Sequence, residues 1–159
     1  MIIDNQLVLA WKQAVTANAA SAATANTDGT YNAMGIVDLG IARNIGVGTT
    51  KLYLVVDCTT AMTDGSSDST MTPSLRTSAT QSSSALTGTV NTLMTGSAFA
   101  ALAAAGTRQI YALPSASYLR YIDVYFTMAN GNLTTGSFSA YIVTDVDQQT
   151  YYAEGFNPN

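Results

Sequence analysis

Residues 119–128 read LRYIDVYFTM, and their side chains alternate strictly between two sides of the chain. One side is apolar and consists of Ile122, Val124, Phe126 and Met128. The other side is aromatic and polar and consists of Tyr121, Asp123, Tyr125 and Thr127. Because successive side chains of a strand point to opposite faces of a sheet, this alternation predicts a half-buried β-strand.

The same period of two recurs along the chain. Residues 51–58 and 137–146 alternate almost as regularly, and weaker candidates cover 2–9, 35–41, 70–77, 88–95 and 108–113. About eight strands separated by turn-rich gaps predict an all-β jelly roll or β-sandwich with antiparallel sheets. Asn130-Gly131 lies between the two strongest strands, so we predict that 119–128 and 137–146 form an antiparallel hairpin with a long loop.

Two segments lack this pattern. Residues 13–33 are dominated by Ala, Thr, Asn and Ser, which predicts an extended or flexible arm, with an alanine-rich helix as the alternative. Residues 96–106 are compatible with a short helix or with an extended connection. The length of 159 residues fits one domain over 1–159, with 147–159 as a tail after the last strand.

The composition excludes several classes of protein. Histidine is absent and Cys58 is the single cysteine, which removes His-dependent catalysis and the usual zinc, copper and iron sites. A net charge of −4 with six Lys and Arg residues disfavours binding to nucleic acid. No apolar run reaches the length of a membrane span, so we expect no membrane partner. Charged residues make up only 10% of the chain, which favours a protein that packs against other chains.

Aromatic side chains supply the candidate contact residues. Tyr53, Tyr121, Tyr125 and Tyr141 lie on the strand sides opposite the apolar ones. Such a face needs a cover, which is either another part of this chain or a neighbouring protein. Binding of carbohydrate to the same tyrosines is a third possibility. We add Trp11, as a core-edge residue or an anchor in a partner, and Arg120, as an interface or buried-pair arginine.

The carboxylates give weaker signals. Asp64 and Asp68 bracket a short loop, and Asp145 and Asp147 share a strand face, so each pair could contribute ligands to a cation. A solvated loop is the simpler interpretation, and we assign no metal or cofactor. Nothing marks a catalytic cleft around these pairs, so we expect no enzymatic activity. Cys58 ends an apolar strand side and is predicted to be an inert core residue.

Several stretches resemble a known family. They are residues 1–4 (MIID), 34–48 (MGIVDLGIARNIGVG), 51–56 (KLYLVV), 119–126 (LRYIDVYF) and 136–145 (GSFSAYIVTD). In order and spacing they resemble the capsid cement, or decoration, proteins of tailed bacteriophages.

This resemblance implies a jelly-roll structural protein, made in the bacterial cytoplasm, that binds the outer surface of the virion. Its partners would be the major capsid protein of a shell of the HK97 type, whose capsomers it bridges, and itself, as a homodimer or homotrimer. The alternative is a carbohydrate- or receptor-binding β-sandwich module of a phage particle.

Overall fold

A computed structural model of the chain describes residues 7–17, 35–48, 51–82, 85–144 and 146, together with the backbone of 19–20. These residues contain strands and no α-helix, so the all-β prediction is confirmed. The strands are β1 (Val8–Ala14), β2 (Ala19–Ala20), β3 (Ile36–Asp38), β4 (Tyr53–Thr63), β5 (Thr70–Ser78), β6 (Thr80–Gln81), β7 (Leu86–Thr87), β8 (Asn91–Thr95), β9 (Arg108–Ala112), β10 (Tyr121–Ala129) and β11 (Thr135–Val143).

Two antiparallel sheets face each other. The first sheet has the strand order β1-β11-β4-β9. The second has the order β2-β10-β5-β8, and β3 pairs with β10 beside β2. With the short strands β2, β6 and β7 set aside, each sheet contains four strands, and seven connections join the eight. Six of these connections cross between the sheets, and only β5 and β8 are neighbours both in sequence and in one sheet. This is the connectivity of a jelly roll.

Each of the eight predicted strands overlaps one of these eight. The first is displaced, because the prediction covered residues 2–9 whereas β1 spans Val8–Ala14. Residues 13–14 of the predicted arm therefore belong to a strand, and Ala19–Ala20 pair with β10. The remainder of the predicted arm, apart from residues 15–17, lies outside the described residues, as does the predicted tail.

The predicted hairpin is wrong. β10 pairs with β5 along nine residues, whereas β11 pairs with β4 and β1 in the opposite sheet. The connection begins with a turn in which Asn130 and Gly131 have positive φ. It then buries Leu133, whose N–H donates to the carbonyl of Thr16. This placement sets the apolar side of β10 against that of β11, so each strand covers the other from water.

The core lies between the two sheets, as the alternation predicts. Phe126 of β10 stacks on Phe138 of β11 with ring centroids 5.8 Å apart. Phe99 meets the same Phe138 ring edge-on at 5.4 Å. Phe99 belongs to the segment 96–106, which is an irregular connection with two turns and contains no helix. The segment therefore forms no helix and contributes Phe99 and Ala103 to the core.

The described residues contain no helix that is long and apolar enough to cross a membrane.

Candidate interaction surfaces

On both sheets, side chains that face away from the core pack against or hydrogen-bond to one another. We call the outer side of β1-β11-β4-β9 the first outer face and the outer side of β3-β10-β5-β8 the second outer face. The six contact residues predicted from the sequence divide between them. Trp11, Tyr53 and Tyr141 lie on the first outer face, whereas Arg120, Tyr121 and Tyr125 lie on the second. The structure therefore separates them into two groups on opposite sides of the sandwich.

The first outer face has a small apolar cluster of its own. Its buried members are Val8, Val55, Tyr141 and Val143, and the half-buried side chains of Trp11, Tyr53 and Val146 pack against them. The role of Trp11 as a core-edge residue does not match the structure, because Trp11 packs on this outer cluster and not at the edge of the main core. The central strands of the first sheet are thus covered on both sides.

A polar network borders this cluster. The Tyr141 hydroxyl donates a 2.6 Å hydrogen bond to Asp57 Oδ2, and Arg108 Nε donates to Asp57 Oδ1, also at 2.6 Å. Burial and the neighbouring Asp57 carboxylate raise the pKa of Tyr141. Tyr141 is only 2% exposed, and its hydroxyl helps to hold the Asp57 carboxylate in position.

The second outer face contains a buried ion pair. Arg76 and Asp123 are cross-strand partners on β5 and β10, and their side chains form two hydrogen bonds, of 3.0 and 2.5 Å. Asp123 is fully buried, and Arg76 is 19% exposed. The guanidinium of Arg76 also lies over the ring of Tyr125, 4.2 Å from its centroid. Arg76 therefore neutralises a buried carboxylate and covers one face of a half-buried aromatic ring.

A second pair on the same face is exposed. Arg120 and Asp38 form two hydrogen bonds of 2.9 and 2.8 Å, and their side chains are 49% and 41% exposed. Arg120 also lies 4.9 Å from the centroid of the Tyr121 ring. The proposal that Arg120 takes part in a buried pair is therefore wrong, because Arg76 has that role. The suggestion that Arg120 contacts a partner stays a prediction, as it does for the other five residues.

Sequence reasoning missed Arg76, Asp57 and Arg108 as members of these clusters. The alternation places Asp57 and Asp123 on outer faces, and this is the feature of the sequence that could have pointed to these clusters. It does not say which arginine lies opposite each aspartate, because that depends on strand pairing between residues 47 and 51 positions apart.

The remaining candidates have local structural roles. Asp64 accepts hydrogen bonds from the backbone N–H groups of Ser66, Asp68 and Ser69, which lower the pKa of its carboxyl group. Its oxygens thus close the loop between β4 and β5. Asp145 and Asp147 lie outside the described residues, within which no three potential metal-ligating side chains cluster. Cys58 is buried, as predicted, and burial raises the pKa of its thiol.

Comparison with known families shows a match. The sequence model of the family Bbp16 matches residues 9–142. The chain belongs to the Bbp16 family. The matched region begins at the second residue of β1 and ends one residue before the end of β11, so the Bbp16 match includes all or nearly all of every strand of the jelly roll. No curated protein matches the chain.

Proposed function

We propose that this Bbp16-family protein is a structural virion component that binds the outer surface of a phage capsid. In this proposal it bridges neighbouring capsomers of the major capsid protein, and it acts as a homodimer or homotrimer without enzymatic turnover. Many symmetric copies turn modest contacts into a shell that resists internal pressure, because each additional bridge adds to the avidity.

One observation carries the proposal: the second outer face presents tyrosines held in place by arginine–aspartate pairs. Tyrosine gives a large contact area with two rotatable side-chain angles, and a ring already fixed by a guanidinium loses little further entropy on binding. Each pair also cancels its own charge, so contacts made by these faces keep their strength as the ionic strength changes. Such faces suit a permanent structural contact.

The carbohydrate alternative has less support from the same geometry. Sugars stack on open aromatic faces, whereas Arg76 covers one face of Tyr125 and Arg120 lies over Tyr121. Tyr141, another tyrosine considered for that role, is buried. The jelly roll and the resemblance to cement proteins therefore favour a protein partner.

The decisive experiment adds the purified protein to capsids of its phage from which it has been removed. We expect saturating protein to raise the temperature at which these capsids rupture. The double variant Tyr121→Ala/Tyr125→Ala tests the second outer face, and Leu102→Asn, an exposed substitution in the connection between β8 and β9, is the matched control. An unchanged rupture temperature with saturating wild-type protein would end the cement proposal.

Oligomeric state provides an independent test. We expect light scattering at micromolar concentration to give the mass of a dimer or trimer. A monomer under these conditions would argue against the homo-oligomer and leave each bridge to be made by a single copy.

A further inference from the structure

The connection from β3 to β4 carries an exposed apolar surface. Among the described residues, the two most exposed large apolar side chains are Ile41, at 65%, and Val47, at 55%. Both belong to residues 39–48, which we call the tip loop. Two exposed large apolar side chains six positions apart in one loop are candidates for an interaction site.

The tip loop is held firmly against its neighbours. At its start, the N–H of Leu39 donates to the carbonyl of Arg120, and the N–H of Arg43 donates to the carbonyl of Tyr118, at 2.8 and 3.0 Å. Asn44 then closes a turn by accepting from the N–H of Gly46 at 3.1 Å. These bonds fix the backbone on both sides of Ile41.

Close packing fixes the second half of the loop. A Cβ atom on Gly46 would lie 1.9 Å from the carbonyl oxygen of Pro114, so the two backbones are in direct contact. The side chain of Asn44 donates to Ser115 Oγ at 3.2 Å, and Ile45 packs against the main core. Ile41 and Val47 therefore project from a preorganised loop, which reduces the entropy lost when a partner binds.

The charge of this region contrasts with that of the chain. The other three arginines each pair with an aspartate, whereas within the described residues Arg43 and Lys51 have no carboxylate at ion-pair distance. Both cations are exposed, and Lys51 lies three residues beyond the tip loop. In an acidic protein with a net charge of −4, the tip loop thus combines an exposed arginine with exposed apolar side chains, and a second exposed cation follows it in sequence.

We propose that the tip loop is a docking surface for a protein with an apolar depression bordered by carboxylates. This inference rests on the proposed function, in which the partner is the major capsid protein. Within the described residues, a second copy of this chain offers few carboxylates, because four of the five there are engaged. Asp38, Asp57 and Asp123 form ion pairs, and Asp64 is held by backbone N–H groups, so the described surface of a copy offers Asp68.

The test measures binding to capsids lacking this protein by co-sedimentation. We expect Ile41→Ser/Val47→Ser to weaken binding at least about 10-fold, as loss of an interface hot spot does. Arg43→Glu should also weaken binding, and its deficit should shrink as salt is added, because exposed charges are screened. Leu102→Asn is the control. Leu102 has a φ of 60°, which Asn accepts. It adjoins the end of β4 that is farther from the tip loop, and the length of β4 separates the two by about 30 Å.

The outcomes separate the two proposals. If wild-type protein does not bind the capsids, the cement function and the docking surface both fail. If wild-type protein binds and the tip variants bind equally well, only the docking surface fails. It fails as well if Ile41→Ser/Val47→Ser abolishes self-association in light scattering, which would assign the loop to a second copy. Should the double variant not fold, Arg43→Glu decides alone, since its substituted side chain is exposed.

Discussion

Two arginine–aspartate pairs lie on the second outer face and differ mainly in burial. Arg76–Asp123 and Arg120–Asp38 each form two hydrogen bonds of 2.5–3.0 Å, and in each the guanidinium lies over a tyrosine ring. Asp123 is fully buried, whereas the Asp38 side chain is 41% exposed. The same chemical unit is therefore part of the protein interior in one case and of its solvated surface in the other.

Their pKa values show the consequence. Burial raises the pKa of Asp123, against the opposing effect of Arg76. The pKa of Asp38 is lowered, first by its hydrogen bond from Arg120 and then by the N–H of Gly40. Removing the Arg76 guanidinium therefore leaves a desolvated charge at Asp123. Removing the Arg120 guanidinium lets water take its place beside Asp38.

The largest expected effect follows from breaking the buried pair. Asp123→Ala leaves Arg76 with little access to water, so we expect it to lower the free energy of unfolding by about 3 kcal/mol. Urea unfolding of Asp123→Ala and of Asp38→Ala, measured in parallel, gives the difference in stability loss between the two pairs. Arg76→Met/Asp123→Leu removes both charges and should lie within about 1 kcal/mol of wild type. Equal losses for Asp123→Ala and Asp38→Ala would show that burial does not distinguish the pairs.

The network on the first outer face should give an intermediate effect. Tyr141→Phe removes the hydroxyl that donates to Asp57, which costs about 1.5 kcal/mol at neutral pH as a hydrogen bond to a charged group. The pKa of Tyr141 is raised on folding, so its contribution is present below the ordinary tyrosine pKa of about 10 and is lost as pH rises above it. Wild type should thus lose more stability than Tyr141→Phe between neutral pH and about pH 11. Parallel pH profiles would contradict this.

A smaller effect is expected in acid from the loop carboxylate. The lowered pKa of Asp64 means that its contribution is present above the ordinary aspartate pKa of about 3.9 and is lost as pH falls below it. Asp64→Asn should therefore have a lower Tm than wild type at pH 7 and a shallower fall in Tm toward pH 2. Asp68→Asn, four residues away in the same loop, is the matched control. An identical acid profile for wild type and Asp64→Asn would contradict the assignment.

The smallest effect belongs to the exposed pair. Asp38→Asn should shift the Tm by no more than about 2 °C, because water solvates both partners when the pair is broken. High salt should reduce even this difference. Thermal unfolding at low and high salt provides the measurement. A larger shift would mean that the pair also stabilises the tip loop, whose first N–H group donates to the carbonyl of Arg120.

The strands and their buried sides could be predicted well from the sequence, and the contact clusters only in part. Alternation identified Ile122, Val124 and Phe126 as core residues, and all three are fully buried. It also placed the tyrosines on outer faces. It could not show that Asp123 is buried there, because that burial comes from neighbouring strands. The contacts that hold the tip loop in place could not be predicted either, because Pro114 and Tyr118, which make them, are distant from the loop in sequence.

The sequence by itself determined that the chain is all-β, where its main strands lie, and which side of the strongest strands faces the core. Each of these follows from local polarity with a period of two. The tertiary structure alone decided that β10 and β11 belong to opposite sheets and that Arg76, rather than Arg120, meets a buried aspartate. The physical reason is that strand pairing joins distant residues and is selected by how well the whole apolar surface is covered.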